Sequence, residues 1–206
     1  MLEPIAVATR RKAFLALAKR RTAPGSGSSR AHLQGRTVKQ TMPDLQSILQ
    51  PLSFVVVGAM AARLYMPERM TYDTDILILA ADHARCIQQL SAAGARKLGD
   101  LSIGGSTWQL ADGSALDVLV SDTKWAQDAL GQAVISATGL PTIALPYLVV
   151  MKLLASRAQD IADLTRMLGG AAPAMLDQVR AVVARYVPDA VEDVESMIVL
   201  GRMEYE

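Results

Sequence analysis

The sequence predicts an α/β (α+β) fold: a small mixed β-sheet flanked by helices, followed by a helical C-terminal part. Three observations carry that expectation. Apolar, β-branched runs, LSFVVVG and TDILILA, alternate with segments of helical spacing. Short strand candidates punctuated by glycine turns follow over residues 96–121. From Pro146 onward the apolar spacing is helical, interrupted at Gly169-Gly170.

Residues 1–41 read as a basic, flexible extension set apart from the domain. The first 40 residues hold nine Lys and Arg against the single Glu3, a net of +8, whereas the rest of the chain carries −7. Ala6 to Arg21 has the composition of a basic helix, and APGSGSSR ends it. Such a block fits a disordered tail, or translation counted from too early a start with Met42 the natural first residue. It also fits an arm drawn to nucleic-acid phosphates, or an organelle transit peptide.

The core is expected over 42–145. Pro43 to Gln50 is a short helix with Pro43 near its start. LSFVVVG is a buried strand that stops at Gly58, and AMAARLYM continues as a helix. TDILILA is the second strand, and a helix from Asp82 to Ala93 ends at Gly94. Arg96 to Leu101, Ser106 to Leu110 and Ala115 to Ser121 are strands. A Gly104-Gly105 turn and an Ala111-Asp112-Gly113 turn link them into hairpins. Pro141 to Leu145 is a short extended piece. The helical region 146–206 opens with one long helix from Pro146 to Leu168, followed by helices over Pro173 to Tyr186 and Asp189 to Leu200.

Composition excludes several classes of function. Half of the residues are hydrophobic and a fifth are charged, so a packed core is expected. The longest apolar runs fall short of the roughly 20 residues of a spanning helix, so no membrane partner is expected. The single cysteine, Cys86, permits no intramolecular disulfide and fits a reducing, cytoplasmic setting. Two histidines, His32 and His83, support neither a zinc site nor a Ser-His-Asp triad.

The chemistry concentrates in RMTYDTDILIL, residues 69–79. Asp73 and Asp75 stand two apart at the mouth of an apolar run, and a strand puts residues i and i+2 on one face. Two like charges so placed repel, and burying them unpaired is expensive. In SALDVLVSD a third carboxylate, Asp117, also lies inside an apolar run. If that strand runs beside TDILIL, Asp73, Asp75 and Asp117 share a sheet edge. Oxygen ligands of that kind suit hard divalent cations, Mg²⁺ first and Mn²⁺ second. The cation's charge then favours the ionised acids. Two such ions roughly 3.5–4 Å apart would activate a hydroxyl and stabilise a leaving pyrophosphate. Gly58 and Ala59, fifteen residues ahead of Asp73 where a strand turns into a helix, offer free backbone N–H groups to a phosphate. Lys152, Asp160 and Asp163 recur at helical spacing and read without further context as a solvated stripe.

GAMAARLYMPERMTYDTDILI resembles the signature of the polymerase-beta-like nucleotidyltransferase superfamily: a Gly-Gly or Gly-Ser turn, a helix, then Asp-x-Asp in the next strand. It is more closely similar to nucleotidyltransferase toxins of the AbiEii type, in which an Arg-x-Thr-x-Asp-x-Asp run is common; Arg69, Thr71, Asp73 and Asp75 match it. A later helix of that family carries Lys, Ala, Arg and Asp at set spacings, matched by Lys152, Ala155, Arg157, Asp160 and Asp163. The resemblance spans Leu52 to Leu168. Ala59 stands where a second Gly or a Ser is usual, losing a hydroxyl contact and placing a side chain where positive φ would be strained. Thr74 stands where a larger aliphatic residue is usual.

The resemblance implies transfer of a nucleoside monophosphate from an NTP to an acceptor hydroxyl. Asp73, Asp75 and Asp117 would hold the metal, and Asp117 would help deprotonate the acceptor. Gly58, Ala59, Arg69, Thr71 and Lys152 would hold the nucleotide, while Asp160 would orient Lys152 or assist the acceptor. The acceptor would be RNA such as a tRNA 3′ end, a protein side chain or a small molecule such as an aminoglycoside, and a cognate antitoxin would be a partner. The alternative is a catalytically silent protein that keeps the fold and binds a nucleotide or partner.

Overall fold

The structure is a computed structural model and describes residues 6–24, 44–66 and 73–205. Two compact units meet in sequence between Ala144 and Leu145, one built on a sheet and one of helices, and the N-terminal helix belongs to the helical unit.

In the sheet unit, α2 (Leu45–Leu49) precedes β1 (Val55–Val56) and α3 (Gly58–Ala62). Strand β2 (Thr74–Leu79) leads through a short 3-10 turn to α4 (His83–Ala92). A meander of β3 (Arg96–Asp100), β4 (Gly105–Gln109) and β5 (Ala115–Ser121) follows. α5 (Lys124–Gly131), β6 (Val134–Ile135) and β7 (Pro141–Thr142) complete the unit. The seven strands form one mixed sheet in the order β3-β4-β5-β2-β1-β7-β6. Strand β2 lies between β1, antiparallel, and β5, parallel.

Alternation sorts the two faces of this sheet. Ile76 and Ile78 of β2, Leu116 and Val118 of β5 and Trp108 of β4 point into one core, where Leu45 and Leu49 of α2 and Cys86 and Leu90 of α4 meet them. Burying side chains of this size contributes about 1.5–3 kcal/mol each. Asp75 and Asp117 occupy the odd positions and therefore the opposite face, where both are half-buried.

The α/β class matches the sequence expectation, and several bounds differ. Only Val55 and Val56 of LSFVVVG join the ladder, because the chain turns away at Gly58. The helix expected over AMAARLYM is five residues long. Helix α5 and strand β6 had no counterpart in the sequence reading. The buried residues of α5 are Ala126 and Ala129.

The helical unit comprises α1 (Val7–Arg21), α6 (Leu145–Ala155), α7 (Ala158–Gly169), α8 (Pro173–Tyr186) and α9 (Val191–Tyr205). α6 and α7 replace the single helix expected from Pro146 to Leu168. At the break, Ser156 has φ +45°, its N–H donates to Lys152 O at 2.8 Å, and its hydroxyl donates to Leu153 O. Arg157 then starts α7, with its N–H donating to the Asp160 carboxylate at 3.1 Å in a capping-box arrangement. Apolar periodicity runs straight through the interruption, so it could not reveal it.

The extension also differs from a simple tail. Residues 7–21 are helical, as their composition suggested, but Arg11 is 1% exposed. Its guanidinium donates to Asp193 within α9 at 2.6 Å and to Asp189 just ahead of α9 at 3.0 Å. A buried guanidinium needs such carboxylates, and these lie about 180 residues away in sequence, where no local pattern points. The start at Met42 and the Ser- and Gly-rich segment fall outside the described residues.

Candidate active site

Strand register settles the meeting of the acids in the sheet unit. Asp75 and Asp117 are direct partners across the parallel β2–β5 pair, flanked by Ile76↔Val118 and Thr74↔Leu116. Neighbouring strands lie about 4.8 Å apart, so the two carboxylates stand side by side on one face. Asp73 is exposed, one residue outside β2. Among the described residues the Asp117 carboxylate has no hydrogen-bond or ion-pair partner. Two half-buried carboxylates therefore stand in register, one of them without a partner among the described residues.

Gly58 adjoins this pair. Its φ is +64°, and a Cβ placed there would lie 2.0 Å from Asp75 Oδ2. The turn therefore needs glycine twice over, for its backbone and for the closeness of the carboxylate. The N–H of Val57 donates to Asp75 O at 2.9 Å, pinning the strand end to the turn. Positive φ falls on Gly58 and not on Ala59, so the strain expected at Ala59 does not arise. Arg69 and Thr71 lie outside the described residues.

Oxygen-only donors suit a hard cation. Among the described residues no three His, Cys, Asp or Glu side chains group closely enough to hold a metal ion by themselves. Mg²⁺ commonly takes one or two carboxylates and completes its shell with water and substrate phosphate, a demand that the Asp75–Asp117 pair fits.

The stripe on the expected long helix turns into a knot at the α6–α7 break. The Lys152 ammonium donates to Asp160 at 3.2 Å and Asp163 at 2.8 Å. Gln159 donates to the other Asp163 oxygen at 3.0 Å, and the Arg157 guanidinium holds Asp160 at 2.7 Å. Lys152 is 6% exposed and the two aspartates 1% or less. This corrects the solvated-face expectation for Lys152, which is buried and held by two carboxylates. Asp160 and Asp163 both accept from the Lys152 ammonium. Burial pushes the Asp160 carboxyl up, but the Arg157 hydrogen bond and the Lys152 charge outweigh it and hold the group below the usual carboxylate range.

Cys86 is fully buried, and burial with the nearby Asp82 charge pushes its thiol up to about 11, consistent with a core residue rather than a nucleophile. One residue on the carboxylate face escaped the sequence reading. Thr107 of β4 is the register partner of Asp117. A hairpin centred on Asp112 places 107 opposite 117, so the turn signal was sufficient to find it.

The described fold and site thus define an α/β sheet protein with register-paired carboxylates beside a glycine turn. No family model matches the chain, and no curated protein does. Among solved structures it is similar to ANT(2″)-Ia in complex with adenylyl-2″-tobramycin, at 16% identity over 79% of this chain and 97% of that one, with a TM-score of 0.42. It is also similar to the Thermotoga maritima CCA-adding enzyme complexed with tRNA, at 10% identity over 85% of this chain and 52% of that one, TM-score 0.36. A third is terminal uridylyl transferase 4 from Trypanosoma brucei with bound GTP, at 11% identity over 97% of this chain and 70% of that one, TM-score 0.27. These neighbours are nucleotidyltransferases. No helix among the described residues is long and apolar enough to cross a membrane.

Proposed function

We propose that the protein is a metal-dependent nucleotidyltransferase that moves a nucleoside monophosphate from an NTP to an acceptor hydroxyl. The observation that supports this most is the register pairing of Asp75 with Asp117, which has no partner among the described residues, beside the Gly58 turn. Asp75 and Asp117, with Asp73 at the strand mouth, would hold Mg²⁺ or Mn²⁺. When bound, the cation supplies charge neutralisation for the phosphates. The acceptor oxygen bonds to the α-phosphorus, the α–β phosphoanhydride bond breaks, and pyrophosphate leaves with its electron pair. Asp117 takes the hydroxyl proton. Gly58 and Ala59 would face the phosphates, with Arg69 and Thr71 completing the nucleotide side. Lys152, held by Asp160 and Asp163, serves as a positioning element within the helical unit.

The AbiEii-type resemblance favours a macromolecular acceptor, RNA or protein, over a small molecule, and adds the toxin of a toxin–antitoxin pair as the finer reading. The test is incubation of the intact chain with Mg²⁺ and each α-labelled NTP, with total RNA and protein as acceptors. Label transfer that disappears in Asp75→Asn and Asp117→Asn variants is the expected result. Transfer that survives both substitutions would sink the metal-site assignment.

A second reading has its own support. A silent nucleotide- or partner-binding protein would need no complete metal cage, and the described residues contain no group of three ligating side chains. Retained NTP binding without label transfer to any acceptor favours this reading.

A further inference from the structure

The hydrogen-bond phase of the β4–β5 hairpin decides which side chains meet beside Asp117. Leu110 N–H donates to Ser114 O at 2.9 Å, and Val120 N–H donates to Gly104 O at 3.4 Å. Antiparallel pairs alternate between hydrogen-bonded and non-hydrogen-bonded types. With 110/114 and 104/120 in the first class, Thr107↔Asp117 falls in the second, the type whose side chains approach most closely. Thr107, Asp117 and Asp75 thus form one cross-strand row over β4, β5 and β2.

The chemistry along that row is graded. At the β1 end, Gly58 lies so close to Asp75 that a side chain there would run into the carboxylate. At the β4 end, Thr107 is half-buried, and its hydroxyl has no hydrogen bond among the described residues. On the same face Thr107 lies between Gly105 and Gln109 along β4, with Gly99 across from it on β3, and Gln109 accepts from the Arg96 guanidinium at 3.2 Å, so the small residues flank Thr107 on its Gly105 and Gly99 sides. A hydroxyl so placed lies beside the carboxylate proposed above to take the acceptor's proton.

We propose that Thr107 is the acceptor-side binding residue, its hydroxyl hydrogen-bonding the hydroxyl-bearing group that receives the nucleotide. This rests on the nucleotidyl-transfer reading above and names the side of the row on which the acceptor sits. The acceptor oxygen, held between Thr107 and Asp117, forms the new P–O bond at the α-phosphorus, its proton passes to Asp117, and pyrophosphate departs on the Gly58 side.

Valine is the discriminating substitution, because it is isosteric and at least as favourable in a strand as threonine. If Thr107 serves only the sheet, Thr107→Val leaves kinetics and Tm unchanged or raises Tm. The experiment is label transfer by the intact chain, Thr107→Val and Thr107→Ser, with total tRNA and total cell protein as acceptor probes and α-labelled NTPs with Mg²⁺. Thr107→Val is expected to raise the KM for the acceptor preparation about three- to tenfold, the worth of one neutral hydrogen bond, and Thr107→Ser to restore it. The KM for NTP stays within about twofold in both, since a change on the acceptor side removes no nucleotide contact. An unchanged acceptor KM in Thr107→Val overturns the proposal and leaves nucleotidyl transfer standing. Absence of transfer by the intact chain overturns nucleotidyl transfer and this proposal together.

Discussion

At the scale of single residues, the site depends on where side chains are missing as much as on where they are present. Gly58 carries a positive φ that a side chain disfavours by about 1–2 kcal/mol. It also abuts Asp75 Oδ2, which a Cβ would reach at 2.0 Å. Gly58→Ala should therefore act twice. Thermal unfolding should show a loss of about 1–2 kcal/mol, while Asp75 swings away from Asp117 and label transfer falls by more than this instability explains. Equal activity in Gly58→Ala and the parent chain, measured well below Tm, would show that the turn does not set Asp75. The residues at this scale were largely legible. Asp-x-Asp before an apolar run, Asp117 inside another and glycine at a strand end are local signals. What the sequence could not show was that Lys152 would be enclosed, since exposure on a helix depends on what packs over it.

At the scale of elements, the strands were easier to read than the helices. TDILIL and ALDVLVS matched their expected spans because alternation and turn residues agree there. The α6–α7 break was invisible because Ser156 is not a recognised helix stop, and the apolar period resumes in phase. Nor does composition announce the crossing of α7 and α9. Gly169 and Gly201 meet there at backbone distance: a Cβ on Gly201 would lie 2.0 Å from Thr165 O, and one on Gly169 2.3 Å from Gly201 C. Backbone cannot move aside as a side-chain tip can, so Gly201→Ala should cost about 1–3 kcal/mol, the usual range for overpacking. Urea titration of this variant beside Gly131→Ala gives the check. Gly131 ends α5 with nothing within 4 Å of a Cβ, so its variant should be neutral or slightly stabilised. Equal midpoints for the two variants would remove the close crossing.

At the scale of the whole molecule, helix α1 of the basic N-terminal segment belongs to the fold of the helical unit. Arg11 is the reason. It is 1% exposed and spans Asp193 at 2.6 Å, Asp189 at 3.0 Å and Leu153 O at 3.5 Å, while Arg10 donates to Ala155 O at 2.9 Å. Helix α1 therefore covers carbonyls at the end of α6 and neutralises an aspartate of α9 that is 6% exposed. Asp189 is 59% exposed and can return to water when the pair is broken, but Asp193 cannot. Removing one member of a buried ion pair typically costs about 3–5 kcal/mol, because the other charge is left uncompensated. Replacing both members with apolar side chains is often neutral. Arg11→Leu should accordingly lower stability by about 3–5 kcal/mol in urea titration, and adding Asp193→Leu should recover most of that loss. A chain begun at Met42 lacks Arg10 and Arg11 together and should be at least as unstable as Arg11→Leu, with Asp193→Leu again a partial rescue. If the shortened chain unfolds at the same urea concentration as the full one, α1 contributes nothing to the helical unit, and its basic charge must be explained by a partner instead.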